Sequence, residues 1–585
     1  MSTTAVAPSD HSGEYTHRQI LTILTGLLLG MFLGSLDQTI VSTSIRTIAD
    51  DLHGLSAQAW VTTAYLITST ITTPIYGKLG DLWGRKKLFM FSISVFIVGS
   101  ALCTFSTSMY ELAGFRAFQG LGAGGLFTLV LAIVGDIVSP RERAKYTGYF
   151  MATFGSSSVL GPVIGGLLAG TGSILGIAGW RWVFLVNVPI GIVALAVVFR
   201  TLHVHHEKRE AKVDWLGALM LVVCLVPWLT VAEQGQDWGW GSGRAIVCLV
   251  IGAIGLAAFI AVEAKLQVNA LIPLRLFKIK AASVTIVASI IVGMGMFGAM
   301  MLLPLYMQIV HGATPTESGF LMLPMVVGLM TAALVSGKVI AKTGKPRIFP
   351  IVGSLVMAIG MFLLTQISAD THLWIVMILM FVTGHGIGYC MQPLILTIQS
   401  AVPPTAIGVA TSSATFFRQI GGTVGVALFL SILFSSVQAS INDAFTDAAK
   451  TPAFQHAAQT ALASGDKKSP DYRLASGDKT VLAGITKDSS IIKDFDPELA
   501  HPIKVGFSDS ITRTFWISGS LGILACLVLT LMPEVELRAT SAQAAARSGA
   551  APPGETPDPA HPVQSTVLQE IAEAHEEVGE APKAT

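Results

Sequence analysis

The chain carries little charge and few cysteines for its length. Only 12% of its 585 residues are charged, whereas soluble domains contain about 25%. The low charge excludes a soluble globular enzyme. The apolar content excludes a disordered scaffold, and 37 basic against 36 acidic residues exclude a nucleic-acid binder. The five cysteines are odd in number, lie in apolar runs and lack metal-ligand spacing, so they indicate neither disulfides nor a metal site.

Long apolar runs make up most of the sequence. A hydrocarbon core of about 30 Å needs about 20 apolar residues as a helix. Fourteen such runs lie at 20–46, 58–77, 88–106, 110–136, 146–170, 182–200, 214–233, 244–263, 282–309, 317–338, 348–367, 373–398, 406–435 and 510–532. The sequence therefore predicts an all-α integral membrane protein with 14 transmembrane helices. The first run is too long for a signal-peptide core and lacks a cleavage site, so we expect it to be retained.

The basic residues predict the orientation of these helices. The short loops on one side contain nineteen Lys and Arg residues, and those on the other side contain only Arg46, Arg181 and Arg244. Basic loops stay in the cytoplasm. We therefore expect a multi-pass protein with both termini cytoplasmic.

An internal repeat predicts how the helices are grouped. Residues 77–87 and 337–347 each place two glycines seven apart and then two basic residues. Eight helices separate the two loops, so the simplest division is two six-helix bundles with an inserted helix pair. Chance similarity of two loops is the alternative. The predicted segments are a cytoplasmic tail (1–17), an N-terminal bundle (18–200), an inserted pair with cytoplasmic linkers (201–281), a C-terminal bundle (282–535) and a disordered cytoplasmic tail (536–585) with a helical patch at 567–577.

Residues 436–509 form a polar outer segment between the last two runs. We expect a solvated loop with helical patches such as 443–463, and a lid or partner-docking role is the alternative.

Four ionisable groups lie well inside the runs: Asp37, Arg116, His385 and Arg418. Each costs about 2.5–3.5 kcal/mol at the centre of a spanning helix, so each should face a cavity or a partner. Asp37, Arg116 and Gln119 lie at depths that agree within about 8 Å. They therefore form a candidate proton-binding site, because neighbours control the protonation of a buried carboxylate. The alternative is an ion pair that only sets helix register.

Four residues are assigned to the wall of a substrate cavity: Gln38, Tyr65, His385 and Arg418. His385 has three possible roles, which are proton transfer, anion binding and helix packing. Arg418 either faces the cavity or extends to the membrane interface.

Two further clusters of residues are candidates for a role in conformational change. Gly161, Pro162, Gly165 and Gly166 combine a helix bend with a smooth surface, which indicates either a hinge or static packing. The loop glycines Gly77 and Gly84 accompany Asp81, Arg85 and Asp136, which form either a charge lock on the cytoplasmic side or a plain topology determinant.

Taken in order, these motifs resemble the major facilitator superfamily and, within it, the fourteen-helix drug:proton antiporters. The resemblance covers about residues 18–535. It rests on Leu36 to Val41 in helix 1, Gly77 to Lys87 after helix 2, Phe115 to Gly120 in helix 4, Gly161 to Gly166 in helix 5 and Trp180 to Pro189 at helix 6.

The resemblance implies a proton-coupled multidrug exporter in a bacterial plasma membrane. Asp37 would carry the proton, Arg116 would be its partner, the 77–87 loop with Asp136 would latch the inner side, and helix 5 would be the hinge. The implied substrates are lipophilic or cationic drugs. The protein would be a monomer in contact with membrane lipid and would need no cofactor beyond the proton. One departure is the stretch Ser42 to Arg46, which adds a cation near the outer mouth.

Three other functions stay open. The same machinery could export an endogenous lipid, siderophore or secondary metabolite. A transport-derived sensor would show no flux. A membrane enzyme is disfavoured because no Ser-His-Asp set or metal-ligand spacing is found, and an ATP-driven pump is disfavoured because no phosphate-binding glycine loop is found.

Overall fold

The computed structural model describes residues 17–53, 58–202, 214–266, 270–403, 406–478, 481, 489–535 and 537. The tail 1–16, the helical patch at 567–577 and most of 536–585 lie outside these residues. The described chain is helical apart from turns and one antiparallel hairpin, Ser173–Ile174 with Ile177–Ala178. The prediction of an all-α protein is therefore confirmed.

The first part of the described chain contains seven helices. They are α1 (His17–Asp51), α2 (Gln58–Trp83), α3 (Arg85–Thr104), α4 (Met109–Ile137), α5 (Pro140–Gly170), α6 (Arg181–Leu185) and α7 (Asn187–Thr201). A serine lies immediately before each of helices α4 and α5. The hydroxyls of these residues, Ser108 and Ser139, each accept a hydrogen bond from a backbone N–H of the first helical turn. These caps satisfy amide groups that have no partner inside the helix.

The rest of the described chain adds eleven α-helices and two 3-10 turns, Leu274–Lys278 and Ser489–Asp494. The helices are α8 (Trp215–Trp238), α9 (Gly243–Leu266), α10 (Lys280–Ile309), α11 (Pro315–Leu321), α12 (Leu323–Thr343), α13 (Ile348–Leu364), α14 (Leu373–Ser400), α15 (Ile407–Ala448), α16 (Pro452–Ala463), α17 (Pro470–Ala475) and α18 (Pro497–Thr530).

Twelve helical segments of the described chain are long and apolar enough to cross a membrane. Two of the fourteen predicted runs are not among them. Helix α13 has 17 residues and falls just short in length. Helix α2 is long enough, but it is rich in threonine, and its last turns contain the charged residues Lys78 and Asp81.

Several helices of the first part of the chain pack against helices of the last part, and two of these contacts are the most extensive. Helix α2 packs against α15, and α5 packs against α12. Helix α8 of the predicted inserted pair touches both α2 and α15, and Leu221 and Leu225 lie in one apolar cluster with Ile67, Ile71 and Phe416. The pair therefore lies along the α2–α15 seam.

Both repeated loops turn at a glycine that has a positive φ. Gly84, after α2, has φ 94°, and Gly344, after α12, has φ 70°. Only glycine adopts such angles without a steric penalty. Each glycine ends a helix and turns the chain into the next one, which is consistent with a repeated unit.

The outer segment differs from the predicted solvated loop. Helix α15 continues to Ala448 and α18 begins at Pro497, so both extend well past the predicted runs, with α16 and α17 between them. Val437, Ile441, Leu499 and Ile503 are buried in one apolar cluster. The apolar residues recur at helical spacing, so the described part of 436–509 folds on its own small core.

Glycines set the closest helix contacts. Gly120 and Gly124 of α4 face the backbone of α2, and Gly421 and Gly425 of α15 face the backbone of α10. A side chain at any of the four would clash with main-chain atoms, because the facing backbones lie within van der Waals distance.

We predict that Gly506→Ala destabilises the outer segment. A Cβ at Gly506 would lie within 2.6 Å of the backbone and side chain of Ile441, and such overpacking costs about 1–3 kcal/mol. The measurement is the midpoint of thermal unfolding in detergent, with Gly114→Ala as the control because a Cβ there meets nothing within 4 Å. Equal midpoints for the two variants would contradict the packing described for this segment.

Candidate functional site

Asp37 lies at the centre of a buried hydrogen-bond network between α1, α4 and α7. Its side chain is 0% exposed, and Arg116 is 2% exposed. The Arg116 Nη1 donates to Asp37 Oδ2 at 2.5 Å. The amides of Gln119 and Asn187 donate to Oδ1 at 2.9 and 2.8 Å. Both carboxylate oxygens are therefore occupied, and a buried charge is tolerable only when it is paired in this way.

A second layer of contacts holds these donors in place. The Arg116 Nη1 also donates to Gln119 Oε1 at 2.8 Å, and the guanidinium lies 4.0 Å from the centre of the Tyr65 ring. The Ser100 hydroxyl accepts from Gln119 and Asn187 and donates to the Phe184 carbonyl. Side chains of α2, α3, α4 and α7 thus hold the network in place around Asp37 of α1.

This arrangement links the positions of α4 and α7 to the charge on Asp37. Three donors face the ionised carboxylate, so protonation would remove the charge that attracts them and would leave Arg116 buried without its counter-ion. Because an unpaired buried cation is costly, the helices carrying the donors would then have to move or admit water.

The second predicted cluster lies at the end of the bundle where the loops after α2, α4, α12 and α14 meet, hereafter the basic end. Arg85 pairs with Asp81 at 2.8 Å and with Asp136 at 2.9 Å, and it also donates to the Ala132 carbonyl. Gly84 supplies the turn that places Arg85 between the two carboxylates.

Asp81 also reaches the last part of the chain. Its Oδ2 accepts the Val409 backbone N–H at 3.1 Å, in the first turn of α15, where the helix dipole favours a negative charge. Gly408 and Gly77 make the approach possible, because a Cβ at Gly408 would strike Asp81 and one at Gly77 would strike Ser412. The predicted charge lock therefore caps a helix of the opposite half.

Sequence analysis missed a third element of this lock, Arg143. Its guanidinium donates to Gln399 of α14 and to the carbonyls of Gly135 and Val138 at 2.8 and 2.9 Å. Burial lowers the pKa of the Arg143 guanidinium, and the Asp136 carboxylate opposes that effect. In the sequence, Arg143 is one of several basic residues in a loop. Such residues predict the orientation of the helices and give no sign of a specific partner.

Asn187 was also missed as a site residue. It lies at the start of α7, within the segment Trp180 to Pro189 that contributes to the family resemblance. An amide in an otherwise apolar stretch was the available signal, since buried polar groups need partners.

The predicted hinge glycines of α5 face two different neighbours. Gly161 and Gly165 lie against Thr39 and Ile40 of α1, whereas Pro162 and Gly166 lie against Gly319 and Thr316 of α11. The smooth surface therefore touches both halves of the bundle.

The four predicted cavity residues lie in different settings. Tyr65 is fully buried beneath Arg116, so it supports the Asp37 network instead of lining a cavity, and half-buried Gln38 lies beside its hydroxyl. His385 contacts the Thr331 hydroxyl at 3.1 Å and packs on the Tyr389 ring. Arg418 is half-buried and has neither a hydrogen-bond nor an ion-pair partner among the described residues.

Comparisons with known proteins agree with this geometry. The family model described as Major Facilitator Superfamily matches residues 27–426. The chain is 36% identical to multidrug transporter protein MdtP of Bacillus subtilis over 423 residues, which is 72% of this chain and 76% of that protein. It is 34% identical to multidrug resistance protein 3 of the same organism, over 72% of this chain and 81% of that one.

A comparison with a solved structure gives information on the fold. The proton:xylose symporter XylE superposes with a TM-score of 0.54 at 15% identity, covering 91% of this chain and 100% of that one.

We predict that Asp81→Ala loosens the basic end. The variant removes the acceptor of the Val409 N–H and one of the two counter-ions of Arg85. Hydrogen–deuterium exchange of residues 407–412 should therefore become faster. Glu142→Gln is the control, because Glu142 is exposed and pairs only with exposed Lys145. Unchanged exchange in Asp81→Ala would refute a lock between the halves.

Proposed function

The chain belongs to the Major Facilitator Superfamily, so it is a multi-pass membrane transporter and not an enzyme. From this membership we propose that it is a proton-coupled antiporter that exports lipophilic toxic compounds from a bacterial cell by alternating access. The observation that carries the proposal is the fully buried Asp37, which among the described residues has Arg116, at 2.5 Å, as its one charged partner.

The proposal includes fourteen spans. Counting α2 and α13 with the twelve long apolar segments gives two six-helix bundles, 18–200 and 282–535, with α8 and α9 inserted between them. We assign the basic end and both termini to the cytoplasm, because the short loops predicted for that side contain nineteen Lys and Arg residues. The transporter acts as a monomer within the plasma membrane.

Helix α4 provides a direct link between the proton site and the basic end. Arg116 and Gln119 lie in its first half, and Asp136 lies one residue before its end. Twenty residues separate Arg116 from Asp136, which is about 30 Å along a rigid helix. A shift of Arg116 on protonation of Asp37 therefore moves Asp136, the counter-ion of Arg85.

The transport cycle follows from that link. With Asp37 ionised and Arg116 attached to it, contacts such as Asp81 to Val409 and Arg143 to Gln399 hold the basic end closed. A proton from outside neutralises Asp37 and weakens its attraction for Arg116. The bond between Asp37 and Arg116 alternates with substrate binding, and this alternation couples inward proton movement to outward export. The α5 glycines form the surface on which the two halves slide.

The driving force is sufficient for this cycle. One charge crossing 100 mV releases about 2.3 kcal/mol, and a pH gradient adds to it. That energy exceeds the free energy needed to cancel a tenfold conformational preference, which is about 1.4 kcal/mol. The proton is then the only coupling ion that the cycle needs.

Several half-buried apolar side chains favour lipophilic substrates. Phe127 of α4, Phe297 and Met300 of α10, Met330 of α12 and Met391 of α14 all pack on one apolar cluster shared by both halves. Methionine side chains are flexible and polarizable, and they adapt to differently shaped apolar ligands.

We predict that Asp37→Asn abolishes proton-driven export. The asparagine keeps the size of the side chain but cannot exchange a proton with water. The measurement is export of a fluorescent lipophilic dye from proteoliposomes under an imposed pH gradient, and the expected result is loss of the gradient-dependent component.

The control for this experiment is Asp50→Asn. Asp50 lies on the same helix but is exposed, so its variant should export at the wild-type rate. Gradient-dependent export that persists in Asp37→Asn would sink the proposed coupling. Export that is present but independent of the gradient in the wild type would instead favour a facilitator.

A further inference from the structure

Arg418 is a cation in the middle of a spanning helix, and this cation has no role in the proposed cycle. It lies eleven residues after the start of α15, which is about 16 Å into the bundle from the basic end. Its side chain is half-buried and has no hydrogen-bonding or ion-pairing partner in the described chain. A guanidinium at that depth is expensive unless it faces water or a ligand.

The helix geometry places Arg418 away from lipid. The exposed apolar residues of α15, Val424 and Leu428, lie about 80–120° around the helix from Arg418 at 100° per residue. Gly425, in contrast, lies within about 20° of Arg418 and packs against Met294 of α10. The side chain of Arg418 runs along α10, where its Cγ would be 3.2 Å from a Cβ at Gly293.

Arg418 therefore lies on the side of α15 that faces α10 and not on its exposed apolar side. On its other side, the neighbouring Gln419 accepts a hydrogen bond from Thr73 of α2 at 3.2 Å. Arg418 thus lies between α10 and the seam where the two halves meet, which is where a substrate of an alternating-access transporter must pass.

No carboxylate balances this cation. Asp37 is the only Asp or Glu more than three residues inside a predicted span, and its oxygens are taken up by Arg116, Gln119 and Asn187. The interior that a substrate meets therefore carries a net positive charge.

An aromatic surface lies one turn away. Gly422 shares a helix face with Arg418, at i and i+4, and a Cβ at Gly422 would strike the ring of Phe297. Phe297 is itself half-buried. The cation and the ring thus lie side by side on the α10–α15 boundary.

From these observations we infer that the substrates are lipophilic organic anions whose acidic group pairs with Arg418. This inference rests on the proposed export function and specifies its substrate class. Guanidinium binds carboxylate, sulfonate or phosphate oxygens in a bidentate manner, and Phe297 contacts the apolar body. Anions thereby replace the cationic compounds that the sequence resemblance implied.

The test is equilibrium binding of three probes that share one aromatic body. They are a naphthalenesulfonate, the corresponding neutral sulfonamide and a naphthyl trimethylammonium salt, measured on the full-length protein in uncharged detergent. Wild type should bind the sulfonate best. Arg418→Gln should reduce sulfonate affinity by roughly tenfold to a hundredfold, as expected for a lost charge-assisted hydrogen bond, and should leave sulfonamide binding unchanged.

Two further variants make the result specific. Arg418→Lys keeps the charge and should recover part of the sulfonate preference. Arg513→Gln removes an exposed cation of α18 and should bind as the wild type does. Equal affinity of wild type for the three probes, or a sulfonate preference that survives Arg418→Gln, would overturn the inference. Because binding needs no proton gradient, failure of the coupling at Asp37 leaves this test intact.

Discussion

A carboxylate that has no access to water must keep its oxygens hydrogen bonded, and in this transporter that constraint falls on Asp37. Arg116, Gln119 and Asn187 meet the requirement from α4 and α7, and Ser100 of α3 and Tyr65 of α2 position those donors. Five helices of the first half therefore depend on the ionisation of one side chain. In the proposed cycle, a proton at Asp37 removes the one counter-ion that Arg116 has among the described residues.

The basic end uses the same physical chemistry for a different purpose. Arg85 joins α2 to α4 through two carboxylates, and one of these, Asp81, also caps the first turn of α15 across the seam. Each contact depends on a close backbone approach, which Gly77 and Gly408 permit. Helix α4 carries both Arg116 and Asp136, so one helix connects the two sites.

Much of the helical fold could be predicted from the lengths of the apolar runs, and Asp37, Arg116 and Gln119 could be placed together because depth follows from helix geometry alone. Contacts between distant segments could not. The Asp81 bond goes to a backbone N–H, which every residue except proline carries. Arg143 resembles any other loop cation until Gln399 is placed beside it. The outer segment has the composition of a loop, but its core forms where the extended ends of α15 and α18 meet, and that contact between distant segments has no sequence signal. Tyr65 looked like a cavity residue because an aromatic ring gives no sequence sign of a cation above it.

The central claim is that Asp37 exchanges a proton while the protein functions. Infrared difference spectroscopy of the purified transporter after a pH step detects the C=O stretch of a carboxyl group that becomes protonated. The account predicts a carboxyl band in the wild type that is missing in Asp37→Asn and retained in Asp50→Asn. A band that persists in Asp37→Asn, or a wild type without one across the pH range in which transport occurs, would contradict it.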